Sequence, residues 1–242
     1  MPSLETYRKE LDYSYAPGLF PSMEAIKKRP ELVRRVIVSS RLAEGSAAQE
    51  LTQLCEKNEI RTETADRVLN RISGKENIFA AAVFQKQESS LSDAGRHLVL
   101  HHPGDKGNLG TILRAALGFG FLDIAIIRPA ADCFDPHVIR ASMGAFFSLR
   151  IAHYDRFEDY SASFPAHSLF PFMLTGAVSP EEAAQKAKRP YALIMGNEGS
   201  GLPAEFSSLG QAVKIPHSDA IDSLNLSIAA SIGMYIFGSI AS

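Results

Sequence analysis

The 242-residue chain has no tryptophan, only two cysteines and almost no net charge. Cys55 and Cys133 lie far apart, and no CxxC or Cys/His spacing of a zinc site occurs, so a metal-dependent reading finds no ligands. One disulfide and two free thiols are both compatible with the pair; a reducing cytosol favours the thiols. The 25 basic residues are balanced by 27 acidic ones, a formal charge of -2. That excludes binding to nucleic acid by bulk electrostatics and leaves only local patches for such a role. Every long apolar stretch is broken by a charge or a glycine, so no membrane span is expected. The polar start, Met1-Pro2-Ser3-Leu4-Glu5, lacks the apolar core of a signal peptide, and the expected compartment is the cytoplasm.

What is present is an ordinary globular composition, 45% hydrophobic and 21% charged. The Ser/Gln-rich segment 85–93 separates two apolar runs and reads as a linker. It divides the chain into a small α/β domain over 1–90 and a larger one over 95–242. In the first, strands are expected over 33–39, 60–64 and 78–84, with helices over 47–58 and 65–72. In the second, strands are expected over 97–100, 123–127, 170–174, 192–195 and 213–215, with helices over 111–119, 180–187 and 224–240. Continuous apolar strands alternating with helices indicate α/β architecture, a mainly parallel sheet covered on both faces.

Three polar motifs interrupt the apolar second half. The first is Asn108-Leu109-Gly110-Thr111-Ile112-Leu113-Arg114. Ile112, Ala115, Ala116 and Phe119 form a core stripe, and Arg114 points away from it; Leu113 and Leu117 suggest covered flanks, so a half-buried Arg114 is expected. A buried guanidinium needs an anion, so Arg114 reads either as half of a structural ion pair or as a phosphate or ribose clamp. Asn108 and Gly110 are expected before the helix. The second motif, Gly196-Asn197-Glu198-Gly199-Ser200-Gly201-Leu202, follows directly on a buried strand. Loops there are where α/β proteins place ligands. A plain exposed turn accounts for the glycines but not for the acid among them; no GK[ST] follows, so this is not a P-loop. The third motif is Ser223-Leu224-Asn225-Leu226-Ser227. Asp222 or Ser223 is placed to cap the last helix, with Asn225 in its first turn.

Together, in this order and at strand–helix junctions, the motifs resemble those of the SpoU-like (TrmH-type) RNA ribose 2'-O-methyltransferases of the SPOUT class. The resemblance covers about residues 95–242. It implies a deep trefoil knot in the C-terminal domain, a rare exception to unknotted chains, and S-adenosylmethionine as cofactor. By position, Thr175, Gly176, Gly196, Ile215 and Leu224 would hold the cofactor, and Arg114, Asn108, Glu198, Ser223 and Asn225 would form the catalytic set. It further implies a homodimer and a structured RNA substrate, rRNA or tRNA, with no metal. The N-terminal part is similar to the family's RNA-binding domain, related to a ribosomal-protein fold. Its basic run, Lys27, Lys28, Arg29, Arg34 and Arg35, would supply phosphate contacts or form an ordinary solvated face.

Two departures from the family pattern stand beside the site. The usual Asp-Pro-x-Asn of the first motif reads here as His101-His102-Pro103-Gly104-Asp105-Lys106-Gly107-Asn108, and a small residue of the third loop is Asp219. Two other classes stay open: a non-catalytic RNA-binding or ribosome-assembly protein on this scaffold, and an S-adenosylmethionine enzyme acting on a small molecule or protein.

Overall fold

A computed structural model describes residues 5–73, 78–175 and 178–240. The chain forms two compact units: residues through Gln87 together with Asp132–Ser148, and Glu88–Ala131 together with the chain from Leu149 onward.

The first unit begins with β1 (Tyr13–Pro17), α1 (Leu19–Lys28), β2 (Val33–Val38), α2 (Ser46–Lys57), β3 (Thr62–Thr64), α3 (Asp66–Ser73) and β4 (Ala80–Gln85). Its sheet has the order β1-β4-β2-β3. β4 runs antiparallel to both β1 and β2, whereas β3 is parallel to β2. The central strand can be alanine-rich because helices press on it: Ser22 of α1 donates its hydroxyl to Ala16 O and accepts the Ala82 N–H. The opposite face buries Tyr15, Ile37, Leu69, Ile78, Ala81 and Val83. β1 and α1, both essential to this layer, had no expected counterpart, since YSYAP and LFPSMEAIKK carry proline at both elements.

The second unit opens with β5 (Arg96–His101), α4 (Lys106–Gly118) and β6 (Asp123–Ile127). The chain then contributes residues 132–148, including α5 (Pro136–Ala141), to the first unit. There Phe146 and Phe147 pack on Phe84, with centroids 6.0 and 4.9 Å away, and Ser14 donates to Phe134 O. The compact units are thus not continuous in sequence: one break falls at Gln87, and an aromatic segment from the second half joins the first core. Cys55 and Cys133 are both buried and neither forms a disulfide, and burial pushes the Cys55 thiol up to about 11.

The second unit continues with β7 (Arg150–Tyr154), α6 (Phe157–Ser163), β8 (Ser168–Pro171), α7 (Pro180–Lys186), β9 (Tyr191–Met195) and α8 (Leu226–Ile240). Its five strands are all parallel, in the order β7-β6-β5-β9-β8. Leu98, Val99, Leu100, Ile124 and Leu193 are fully buried, as expected for strands covered on both sides. One face packs on Phe157, Tyr160, Phe164 and Phe206. α8 packs against both α4 and α7. The expected strand over 213–215 is reduced to bridges from Val213 to Phe172 and Val178. Val213 accepts from Met173 N and donates to Pro171 O, while Lys214 N donates to Val178 O.

Two helix starts differ from expectation, for one reason each. α4 begins five residues early because Asp105 caps it, accepting the Asn108 N–H at 2.7 Å, so Asn108 and Gly110 lie inside its first turns. α8 is capped by Asn225, not by Asp222 or Ser223: Asn225 Oδ1 accepts from Ser227 N at 2.8 Å, and its carbonyl accepts from Ala229 N.

Candidate active site

The site lies at the carboxyl ends of the adjacent strands β5 and β9, where a parallel sheet places its ligand loops. β9 ends at Met195, and the loop that follows closes on itself: Asn197 and Gly201 exchange backbone hydrogen bonds of 3.1 and 3.0 Å. Only glycine fits at 196, because a Cβ there would come within 2.3 Å of the Gly201 carbonyl carbon. Asn197 braces the loop from within, its Oδ1 accepting from Gly199 N at 2.9 Å. Its Nδ2 reaches across to His102 O at 2.8 Å. His102 sits at φ 57, a left-handed conformation rare for a side chain of this size, just past the end of β5.

Glu198 binds this loop to the start of α4. Its carboxylate accepts from Gly104 N at 3.0 Å, Asp105 N at 3.1 Å and Asn108 Nδ2 at 3.3 Å. Partial burial works to raise the Glu198 pKa, but these donors outweigh it and hold the carboxyl below its ordinary range. Asn108 Oδ1 in turn accepts from Asn225 Nδ2 at 3.0 Å. Glu198, Asn108 and Asn225 thus form one hydrogen-bonded line that joins all three motifs.

Beside this line is a cavity of about 370 Å³, within the range of small-molecule sites. Its lining includes Thr175, Gly196, Glu198, Ile215, Ser223 and Leu224. Gly176 lies outside the described residues. Apolar walls come from Phe172, Met195 and Leu202, and much of the rim is backbone of the 196–202 loop. Flat apolar walls with backbone donors and acceptors fit a purine nucleoside. Among the described residues no cluster of His, Cys, Asp or Glu suits a metal ion.

Asn108 and Asn225 do not line the cavity but touch it through Glu198. Arg114 does not line it either. The expectation of a half-buried guanidinium is corrected: Arg114 is exposed, because the buried stripe of α4 is Leu109, Ile112, Leu113 and Ala116, and Thr111, Arg114 and Gly118 share the uncovered face. Among the described residues Arg114 forms no ion pair or side-chain hydrogen bond, so it is not half of a structural pair. In the first unit the basic run is largely neutralised. Lys27 pairs with Glu50, Arg29 with Glu31, Arg34 with Asp12 and Arg35 with Glu63, at 2.7–3.0 Å, leaving Lys28 without an acid among the described residues.

Asp105 is the functional residue that motif reading passed over. The Asp-Pro-x-Asn pattern aligns as Asp105-Lys106-Gly107-Asn108, so its Asp is retained as the cap of α4 and the departure narrows to Lys106 in place of proline. Spacing of three residues before Asn108 was the available signal. Lys214 and His217 of the cavity lining carried no signal beyond proximity to the motifs.

Similar proteins agree with this geometry. A 23S rRNA (guanosine(2553)-2'-O)-methyltransferase of Bacillus subtilis is 28% identical over 158 residues, 64% of this chain and 62% of that protein. A tRNA/rRNA methyltransferase of Synechocystis, itself uncharacterised, is 31% identical over 139 residues, 57% of this chain and 51% of that one. The chain spans between 25% and 62% of the length of the curated relatives it matches. The crystal structure of an AdoMet-bound rRNA methyltransferase from Sinorhizobium meliloti superimposes with a TM-score of 0.80 at 25% identity, covering 95% of this chain and 88% of that one. The profile of the SpoU rRNA Methylase family matches residues 95–235, more than half of the sequence, and includes all three motifs: the chain belongs to that family.

Proposed function

We propose that the protein transfers the methyl group of S-adenosylmethionine to a ribose 2'-hydroxyl of structured rRNA or tRNA. The observation that carries this reading is the Glu198–Asn108–Asn225 line, which joins the cavity rim to the first turn of α4, the helix that presents Arg114 further along. The AdoMet-bound relative supports the cofactor. Thr175, Gly196, Ile215 and Leu224 would hold it, with Gly176 beside them in sequence.

S-adenosylmethionine, when bound, supplies a methyl group already activated by its sulfonium. The chain's task is to hold the attacking oxygen in line and to help remove its proton. A guanidinium makes a poor base, so the part given to Arg114 is electrostatic. Exposed and without a protein anion, it is suited to bind the phosphate next to the target ribose and to stabilise charge developing on the 2'-oxygen. The proton then leaves through a phosphate oxygen or water. Asn108 and Asn225, each oriented by its neighbour, position the ribose; Ser223 hydrogen-bonds near the reacting oxygen, and Glu198 holds Asn108 in place.

A homodimer fits the same unit. Ile228 and Tyr235 of α8 are 52% and 59% exposed, on a helix packed beside α4, and a second copy would cover them. The expected compartment is the cytoplasm; no described helix is long and apolar enough to cross a membrane. The run from Lys27 to Arg35 would contact RNA through Lys28 and through those ion pairs that phosphate can displace. Transfer of labelled methyl from S-adenosylmethionine to unmodified ribosomal and transfer RNA tests the reading. Label at a ribose supports it. Cofactor binding without transfer to either RNA would oppose it, and no cofactor binding would favour the non-catalytic alternative.

A further inference from the structure

The first unit exposes three large apolar side chains: Phe20 at 47%, Phe79 at 38% and Met143 at 39%. They belong to three separate stretches of sequence whose backbones meet around the turn between β1 and α1. Gly18 N in that turn donates to Ala80 O at 2.8 Å, which brings Phe79 beside it. Gly144 is pressed on Pro21 and Glu24 at the start of α1, closely enough that a Cβ would meet Glu24 Cβ at 2.7 Å, which brings Met143 to the same place. Met143 and Gly144 both have positive φ, 51 and 80, so the backbone accepts a rare conformation where Met143 faces solvent.

The surroundings are ordered by hydrogen bonds. Ser39 N donates to Phe79 O, and the turn that follows is fastened to Asp66 by the Ser39 and Ser40 hydroxyls and by Ser40 N. Asp66 is thereby covered with donors. Arg41 follows in that turn, and Arg140, exposed, leads into Met143 and forms no ion pair among the described residues. Glu24 is the one acid placed against Gly144. Arg140 thus differs from the basic run of Lys27 to Arg35, most of whose charges face acids among the described residues.

We infer that Phe20 and Phe79, flanked by Met143 and Arg140, form a platform on which an unpaired nucleobase of the RNA substrate stacks. Every base offers a π-face to an exposed aromatic ring, and the adjoining phosphate would meet Arg140. Single-stranded loops, whose bases can splay out, fit such a surface; a continuous duplex does not. The inference rests on the RNA reading above and names the part of the first unit that selects the substrate.

The test uses the full chain, unmodified ribosomal RNA and a short oligoadenylate. Because the protein has no tryptophan, F20W introduces the sole one, and its emission reports directly on stacking. Saturable quenching by oligoadenylate but not by an RNA duplex is expected. The F20L/F79L double variant should bind ribosomal RNA roughly tenfold or more weakly, with unchanged S-adenosylmethionine affinity and melting temperature, and F20Y/F79Y should restore RNA binding. RNA binding by the wild type with no quenching in F20W, and with F20L/F79L within twofold, would overturn the platform alone. Self-association that disappears in F20L/F79L would assign the patch to a second copy and overturn it as well. No RNA binding by the wild type would remove the RNA reading and the platform with it.

Discussion

Asn225 Nδ2 donates to Asn108 Oδ1 at 3.0 Å, tying the N-cap residue of α8 to the first turn of α4. One side chain therefore has two tasks: its oxygen caps a helix and its amide orients another site residue. The two are separable. Asn225→Asp keeps the acceptor and loses the donor, so thermal stability should hold while methyl transfer falls at least tenfold. Asn225→Ala should lose the same activity and also about 1 kcal/mol of stability. Melting curves and single-turnover rates on both variants check this; equal activity of Asn225→Asp and wild type would detach the amide from the reaction.

Arg114 offers the opposite contrast. Exposed and without a side-chain partner among the described residues, it should be replaceable by alanine with a stability change within about 0.5 kcal/mol. Methyl transfer should nonetheless fall by about two orders of magnitude or more, the scale of losing a donor to developing negative charge. Full activity in a folded Arg114→Ala protein would refute the assignment.

At Gly196 the outcome is steric. A Cβ within 2.3 Å of the Gly201 carbonyl carbon meets backbone, not a flexible side chain. Gly196→Ala should cost about 1–3 kcal/mol and abolish S-adenosylmethionine binding in calorimetry, whereas Ser200→Ala, at the exposed rim of the same loop, should leave the fold intact.

Acid should weaken the second unit through His167. The ring is buried, and neither nitrogen finds a well-aligned partner among the described residues. Burial, and then the neighbouring His97, lower its pKa from 6.5 to about 4. The unfolded chain thus takes up a proton more readily than the folded one. This contribution to stability is complete above about pH 6.5 and declines as the pH falls towards 4. Denaturant midpoints between pH 7.5 and 4.5 should drop less in His167→Leu than in the wild type; parallel curves would remove His167 as the cause.

Much of this site was legible before any coordinates. Asn108, Glu198 and Asn225 stand in short motifs at strand–helix junctions, and the structure joins them by direct hydrogen bonds. Apolar runs such as Tyr191–Met195 announced buried parallel strands. What periodicity could not show was set by single side chains or by distant packing. The start of α4 depends on one Asp105 hydrogen bond. The exposure of Arg114 depends on which of several apolar stripes the sheet covers, a choice that Leu113 and Leu117 left ambiguous. Val213–Ile215 looks like a strand, yet it only bridges Phe172 and Val178 as it crosses them. The membership of 132–148 in the first core rests on contacts such as Phe84 with Phe147, which no local pattern encodes.

That excursion has a practical corollary for anyone dissecting the protein. A truncation at Gln87 looks like a clean cut between halves, but it strips the early fragment of Phe134, Phe146 and Phe147 and leaves the late fragment with the same three rings and nothing to sit on. Neither piece is a self-sufficient module. Separately expressed halves should be insoluble or sticky, and should regain order only when co-expressed, because the two units are tethered by the chain's own path as well as by the linker.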